Sequence, residues 1–177
     1  MQWSQDKYIR TLQFAARAHH GQMVPGTELS YVIHLNLVSM EVIADFRQND
    51  KARDQDLAVQ CALLHDVIED TTITFEEVMD NFGSAVAKGV QALSKNKTLD
   101  SKMQMSDSLR RIREQPEEVW MVKLADRITN LQPPPDYWTH EKKKLYKAEA
   151  IEILEALRDC SQSLAARLLS KIDAYPA

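Results

Sequence analysis

The chain is poor in several residue types, and each shortage excludes a class of protein. Its 177 residues include only two cysteines and four glycines. Cys61 and Cys160 stand in apolar contexts without CxxC or zinc-knuckle spacing, so we expect reduced core residues and no disulfide. Scarce glycine, together with helical rather than alternating hydrophobic periodicity, predicts an all-α fold.

Long apolar runs and strongly basic blocks are also missing. The sequence has no early apolar leader and no uninterrupted run of about 18 apolar residues, which predicts a soluble, cytoplasmic protein without a membrane partner. The formal net charge is −4 and the longest basic run is Lys142-Lys143-Lys144, which argues against a nucleic-acid partner. The length predicts a single domain over residues 1–177, and the oligomeric state stays open.

Helix start and stop signals divide the chain into amphipathic segments. Thr74 and Glu77 form a capping box, and Gly83 supplies a left-handed stop. Pro116 is expected at a first helical position, and the prolines at 133–135 end the helix that it opens. The predicted helices cover about 4–18, 31–46, 53–66, 75–81, 84–94, 103–113, 116–131, 140–157 and 161–173.

The most informative run is Ala-Leu-Leu-His-Asp-Val-Ile-Glu-Asp-Thr at residues 62–71. It places His65-Asp66 and Glu69-Asp70 one helical turn apart. Adjacent helical residues point about 100° apart, so His65 and Asp66 can reach one metal ion only where the helix ends. A hydrolytic metal site needs further nitrogen and oxygen ligands from other elements. His34 and Asp126 are the natural candidates.

Each of these candidates has an alternative explanation. His34 lies in an apolar stretch, where a hydrogen-bonded core histidine is the ordinary interpretation. Asp126 also has apolar neighbours, and Lys123 or Arg127 could compensate its charge as well as a metal could. The residues alone do not decide between these readings.

Glu69 and Asp70 are better suited to act on water than to bind the metal, because two histidines and two aspartates already suffice for a partly open site. One carboxylate can orient the attacking water or take its proton, while the other donates to the departing oxygen. The alternative is an acidic surface at a helix C-terminus. The helix dipole disfavours such a cluster unless a cation compensates it.

Taken in chain order, several motifs resemble those of the HD-domain hydrolases of the RelA/SpoT type, in particular the small alarmone hydrolases that lack a synthetase domain. The resemblance covers roughly residues 10–155. The motifs are Ala18-His19-x-Gly21-Gln22, Tyr31-x-x-His34, the run at 62–71, Phe82-Gly83, Leu-Ser-Lys ending at Lys95, and Lys123-Leu-Ala-Asp-Arg-x-x-Asn130.

This resemblance implies a single-domain HD-type helical bundle that removes the 3′-pyrophosphate of a purine alarmone nucleotide such as ppGpp or ppApp. It implies one Mn²⁺ ion, although other divalent metals suit the same ligands. The implied metal ligands are His34, His65, Asp66 and Asp126, and Glu69 and Asp70 are the implied catalytic pair. The implied substrate contacts are Asn130, Lys97, Lys102, Trp138 and Tyr146. For these contacts, exposed loop lysines and packed core aromatics remain the alternative.

One segment departs from the family. Guanosine-alarmone hydrolases typically carry two or three basic residues after the Gly-Gln pair, whereas this chain has Met23-Val24-Pro25. The change removes a guanidinium that could stack on the base, so guanine and adenine both stay open.

Two other functions stay open as well. One is an HD phosphatase acting on another nucleotide, such as a nucleoside monophosphate or a phosphorylated nicotinamide cofactor. The other is a non-catalytic nucleotide sensor. The intact Glu69-Asp70 pair favours the alarmone hydrolase over the phosphatase, and the full ligand set together with this pair argues against the sensor.

Overall fold

The computed structural model describes residues 3–48 and 53–176, and over these ranges the chain is a bundle of α-helices with one short 3-10 helix. This confirms the predicted all-α class. The only pairing of extended backbone within the described residues is a single bridge between Met23 and Ser30. The helices are α1 (Gln5–Ala18), α2 (Val32–Asp45), α3 (Gln55–Leu64), α4 (Val67–Asp70), α5 (Phe75–Phe82), α6 (Ser84–Leu93), α7 (Ser101–Arg113), α8 (Glu117–Asn130), α9 (His140–Leu157) and α10 (Gln162–Ala174), with the 3-10 helix at Arg158–Cys160.

Side-chain caps fix most helix starts. The predicted capping box is present, because the Thr74 hydroxyl accepts from the Glu77 amide while the Glu77 carboxylate accepts from the Thr74 amide. Six of the nine predicted starts differ from the observed ones by one or two residues, and α7 and α8 are two of these. Asp100 accepts from the Lys102 amide and starts α7 at Ser101 rather than at residue 103, and Pro116 stands one position before the first helical residue of α8.

Three helices form the centre of the bundle. α2, α3 and α8 pack against one another, and α3 and α8 are buried on nearly every face. Burial on nearly every face places both helices inside the core, and in α8 the buried positions include the polar residues Lys123, Asp126 and Arg127. The packing brings together three elements that carry the predicted ligands.

The end of α3 is the local feature that positions the site. The helix stops at Leu64, His65 and Asp66 form a turn, and α4 continues for only four residues. This confirms the expectation that the two residues stand where a helix ends, since a continuous helix would point them apart. Cys61 and Cys160 are both buried, as expected for core residues. No helix within the described ranges is both long and apolar enough to cross a membrane.

Candidate active site

Four side chains from three parts of the bundle converge at the end of α3. The Nε2 atoms of His34 and His65 are 3.2 Å apart. Asp66 Oδ2 lies 2.8 Å from His65 Nε2 and 3.7 Å from His34 Nε2. Asp126 Oδ1 lies 3.4 Å from His34 Nε2 and 3.7 Å from His65 Nε2. All four predicted ligands are therefore adjacent, although residues 34 and 126 are far apart in the chain.

The hydrogen bonds of the two histidines leave both Nε2 atoms free to bind a metal. His65 Nδ1 donates to the Ala62 carbonyl oxygen at 2.8 Å, which assigns the proton to Nδ1 and a lone pair to Nε2. His34 Nδ1 lies 3.4 Å from Thr129 Oγ1, and that hydroxyl donates to the Asp126 carbonyl oxygen. It therefore accepts from His34. Such partners on the second nitrogen are the usual support for metal-binding histidines.

The spacing of the donor atoms fits a single divalent ion. Ligands about 2.1 Å from one centre and at right angles to each other lie about 3 Å apart. The donor atoms of His34, His65 and Asp66 all lie within 4.8 Å of one another. Without a metal, the two buried carboxylates would depend on Lys123 and on a protonated histidine to balance their charge. The residues present therefore fit a divalent metal.

The electrostatics of the cluster lead to the same conclusion. Burial lowers the pKa of His65, but the carboxylates of Asp66 and Asp126 raise it by more, so it lies well above its ordinary value. Burial raises the pKa of Asp66, but His65 outweighs this and lowers it to about 2. Burial also raises the pKa of Asp126, but Lys123 and the two histidines outweigh this and leave the pKa well below its ordinary value. Both carboxylates thus stay ionised and stabilise positive charge between them.

Hydrogen bonds to the two aspartates orient them, and the sequence did not reveal most of these partners. The Tyr31 hydroxyl donates to Asp66 Oδ2 at 2.5 Å. Lys123 Nζ lies 3.3 Å from Asp126 Oδ2, so it is one of the two compensating cations that the sequence suggested. Asn130 Nδ2 donates to Asp126 Oδ1 at 2.5 Å. The signal for Tyr31 was its position one helical turn before His34, which puts both on the same face.

The predicted catalytic pair lies on α4, next to the cluster. Glu69 Oε2 accepts from the Lys95 amide at 2.7 Å, and Lys97 Nζ donates to the Glu69 carbonyl oxygen at 2.6 Å. The same Lys97 Nζ lies 3.6 Å from Asp70 Oδ1. The basic connection after α6 thus holds both carboxylates in place.

A cavity of about 170 Å³ connects the ligand cluster to the carboxylate pair. A wall that carries metal-binding groups, carboxylates and cations can hold a small anionic substrate. The described residues that line this cavity are Tyr31, His65, Asp66, Glu69, Asp70, Leu93, Lys95, Lys123, Asp126, Arg127, Asn130 and Tyr146.

The predicted substrate contacts differ in their distance from this cavity. Asn130 and Tyr146 line it, whereas Lys97, Lys102 and Trp138 are not among the lining residues in the described part of the chain. Lys97 contacts the carboxylate pair, and Trp138 packs edge-on against Tyr146 with ring centroids 5.1 Å apart. Lys102 stands exposed in the first turn of α7.

The loop with the unusual Met23-Val24-Pro25 sequence leads directly into Tyr31. It closes on itself through hydrogen bonds from the Val24 amide to the Leu29 carbonyl oxygen at 2.8 Å and from the Tyr31 amide to the Gln22 carbonyl oxygen at 2.9 Å. Gly26 turns the loop with a φ of +78°, and a Cβ there would meet Pro135 Cγ at 3.2 Å. The side chain of Met23 is 52% exposed and presents an apolar surface.

With this geometry established, comparison with known proteins identifies the class. The family model for the HD domain matches residues 11–168, and the chain belongs to that family. The fold is therefore that of an HD-domain hydrolase. HD-domain hydrolases bind divalent metals.

The curated relatives narrow this class. The chain is 29% identical over 167 residues to the guanosine-3′,5′-bis(diphosphate) 3′-pyrophosphohydrolase MESH1 of Drosophila melanogaster, a match that covers 92% of this chain and 90% of that protein. It is 28% identical over 165 residues to the enzyme of the same name from Danio rerio, with 90% and 89% covered. A guanosine-3′,5′-bis(diphosphate) 3′-pyrophosphohydrolase of Aquifex aeolicus is 30% identical over 152 residues, which cover 84% of this chain but 20% of that longer protein.

A solved structure resembles the whole bundle. It is described as a metazoan ortholog of SpoT that hydrolyzes ppGpp and plays a role in starvation responses. It matches with a TM-score of 0.84 at 27% identity, and the match covers 98% of this chain and 97% of that one. The predicted resemblance to hydrolase-only alarmone hydrolases is confirmed.

Proposed function

We propose that this chain is a metal-dependent hydrolase that removes the 3′-pyrophosphate of a purine alarmone nucleotide, ppGpp or ppApp. The observation that carries the proposal is the single cavity in which His65, Asp66 and Asp126 face Glu69 and Asp70. Relatives that match over about nine-tenths of their length are named as 3′-pyrophosphohydrolases, which supports the same reaction here.

We infer that His34, His65, Asp66 and Asp126 hold one Mn²⁺ ion, since imidazole and carboxylate donors suit that metal. When bound, such an ion lowers the pKa of water and stabilises negative charge on phosphate oxygens. Tyr31 and Lys123 keep the two aspartates oriented through their contacts with Oδ2 of Asp66 and Oδ2 of Asp126.

Glu69 and Asp70 act on the water and on the departing oxygen. One carboxylate takes a proton from the water as the water oxygen bonds to phosphorus, and the bond between phosphorus and the 3′ oxygen breaks. The other carboxyl group delivers a proton to that oxygen. The products are pyrophosphate and a nucleotide with a free 3′-hydroxyl. The Lys95 amide and the Lys97 ammonium hold the two side chains in position before substrate binds.

The remaining walls of the cavity are suited to hold the nucleotide. Asn130 can donate to the sugar or phosphate from the face of α8 that carries Asp126, and Tyr146 offers an aromatic border backed by Trp138. Lys97 stands next to the reacting groups, where its charge can favour phosphate, and Lys102 can assist from the start of α7. The apolar Met23 loop gives no cation to stack on guanine.

A panel of nucleotides tests the reaction and the base together. Purified protein with Mn²⁺ would be incubated with guanine and adenine 3′-pyrophosphates, each with one, two or three 5′-phosphates, and pyrophosphate and orthophosphate would be measured separately. We expect pyrophosphate from at least one compound. Release of orthophosphate from other nucleotides, with no pyrophosphate from the panel, would replace this proposal with the HD phosphatase.

A further inference from the structure

Arg127 is a buried cation at the wall of the cavity, and two of its nitrogens have no hydrogen-bond partner within the described residues. It follows the proposed ligand Asp126 on α8 and is only 4% exposed. Its Nη2 lies 3.2 Å from Glu149 Oε2 on α9, but Nε and Nη1 have no hydrogen-bond partner within residues 3–48 and 53–176. These two nitrogens carry three N–H groups. Leaving such groups buried and unpaired is costly, so a structural role alone explains them poorly.

Neighbouring side chains hold the guanidinium in a fixed plane. Its Cζ lies 4.3 Å from the centre of the Tyr146 ring, which stacks on one face of the guanidinium. The Glu149 carboxylate accepts a hydrogen bond from Nη2. A guanidinium oriented in this way loses little further freedom when it binds an anion. Preorganisation of this kind is typical of binding sites.

Of the other cations near the cavity, Lys95 has an exposed side chain, and Lys123 and Lys97 are already engaged. Lys123 is paired with Asp126, and Lys97 contacts Glu69 and Asp70. Arg127 differs from both because its partner Glu149 takes up one nitrogen only. An anion that enters a cavity walled by four carboxylates needs a fixed cation that these carboxylates have not neutralised.

We infer that Arg127 binds phosphate oxygens of the ligand that enters this cavity. The planar guanidinium matches phosphate geometry and supplies charge-assisted hydrogen bonds. The identity of that ligand as the pyrophosphate group of an alarmone rests on the proposed function. The binding chemistry itself requires only a phosphate anion.

Binding of inorganic pyrophosphate tests this role without any hydrolysis. Calorimetric titration of the intact protein in excess Mg²⁺ would compare wild type with Arg127→Gln and Arg127→Lys. We expect Arg127→Gln to weaken pyrophosphate binding at least about tenfold, because charge-assisted hydrogen bonds are lost. Arg127→Lys keeps the charge but not the planar fork, so it should weaken binding by a smaller factor.

Arg111 provides a matched control outside the cavity. Its nitrogens donate to Asp107 and to the carbonyl oxygens of Gln91, Ala92 and Ser94, so it has a structural role with every nitrogen used. Arg111→Gln should lower the thermal midpoint and leave pyrophosphate affinity unchanged. Arg127→Gln should weaken pyrophosphate binding, and it should also lower the thermal midpoint because it removes the contacts with Glu149 and Tyr146. If Arg127→Gln fails to fold, the affinity of Arg127→Lys at an unchanged thermal midpoint decides the question.

The outcomes separate this inference from the proposed reaction. Unchanged pyrophosphate affinity in a folded Arg127 variant, or no pyrophosphate binding by wild type, would overturn the role of Arg127. A wild type that binds pyrophosphate through Arg127 but cleaves no alarmone would overturn the reaction alone. If both hold, Arg127→Gln should raise the KM for the alarmone by a factor similar to its loss of pyrophosphate affinity.

Discussion

Replacing Tyr31 with phenylalanine should weaken metal binding while leaving the fold intact. The substitution removes only the hydroxyl that donates to Asp66 Oδ2 at 2.5 Å. The ring itself stays packed, since Tyr31 is 9% exposed and stacks on His19 with centroids 5.0 Å apart. Without this bond, Asp66 loses a donor that stabilises its ionised form and fixes its orientation.

The expected size of the effect follows from that one bond. A hydrogen bond to a charged group contributes about 1.5–3 kcal/mol. At about 1.4 kcal/mol for each factor of ten, this corresponds to roughly 10–100-fold in affinity. Mutations of groups that orient metal ligands typically cost about the same factor. We therefore expect Tyr31→Phe to raise the dissociation constant for Mn²⁺ by about 10–100-fold.

Competition with a chelator of known Mn²⁺ affinity measures this constant directly. Tyr8→Phe is the matched control, because the Tyr8 hydroxyl bonds to Asn36 and Ser39 and contacts none of the proposed ligands. Tyr8→Phe should bind Mn²⁺ like wild type. Wild-type affinity in a folded Tyr31→Phe protein would refute the claim that this hydroxyl orients a metal ligand.

The other predictions concern the bundle and the metal. Gly89→Ala should destabilise the protein by about 1 kcal/mol net in urea denaturation. A Cβ at this position would lie 2.7 Å from Cys61 Sγ and 3.0 Å from Val119 Cγ2. Overpacking costs about 1–3 kcal/mol, which exceeds the ~1 kcal/mol gain in helix propensity. Adding Cys61→Ala should relieve the loss; a more stable single variant would contradict this reasoning. Thr74→Ala removes the cap of α5 and should cost about 0.5–2 kcal/mol in the same assay, so an unchanged midpoint would argue against the capping box. Mn²⁺ at about 100 times its dissociation constant should stabilise chelator-treated protein by about 2.7 kcal/mol, or roughly 5–10 °C in thermal midpoint. An equal rise in the thermal midpoint of the His65→Ala variant with Mn²⁺ would mean that the ion binds elsewhere.

The features of this fold that depend on residues close together in the chain were predictable from the sequence. The capping box at Thr74 and Glu77 and the proline stop after α8 are local signals, and both are present. The cap at Asp100 was overlooked, so the predicted start of α7 came two residues late. Asp100 could have given the correct start, because an aspartate just before a helical run is a strong start signal.

The candidate site was predictable only where a motif marks it. The histidines and aspartates stand in distinctive runs, and the structure brings all four together. The support from Tyr31 and the stacking of Arg127 on Tyr146 depend on how α2, α8 and α9 pack. Such contacts join residues that are distant in the chain, and helical periodicity gives only the face of each residue, not its partner.

Two of the predicted substrate contacts show the same limit. Trp138 and Tyr146 were treated as an equivalent aromatic pair, but only Tyr146 lines the cavity within the described residues, and Trp138 packs behind it. Their spacing in the sequence could not distinguish these positions, because the connection after the prolines sets the direction of α9.

The most direct test of the proposed reaction measures products and metal content on the same samples. Wild type, Glu69→Gln/Asp70→Asn and the control Glu76→Gln/Asp80→Asn, which alters exposed carboxylates on α5, would each be loaded with Mn²⁺ and given ppGpp or ppApp. We expect wild type and the control to release pyrophosphate. The Glu69/Asp70 variant should retain its Mn²⁺ and release pyrophosphate at least about 100-fold more slowly. Orthophosphate as the wild-type product, or a Glu69/Asp70 variant as active as wild type, would contradict the proposed chemistry.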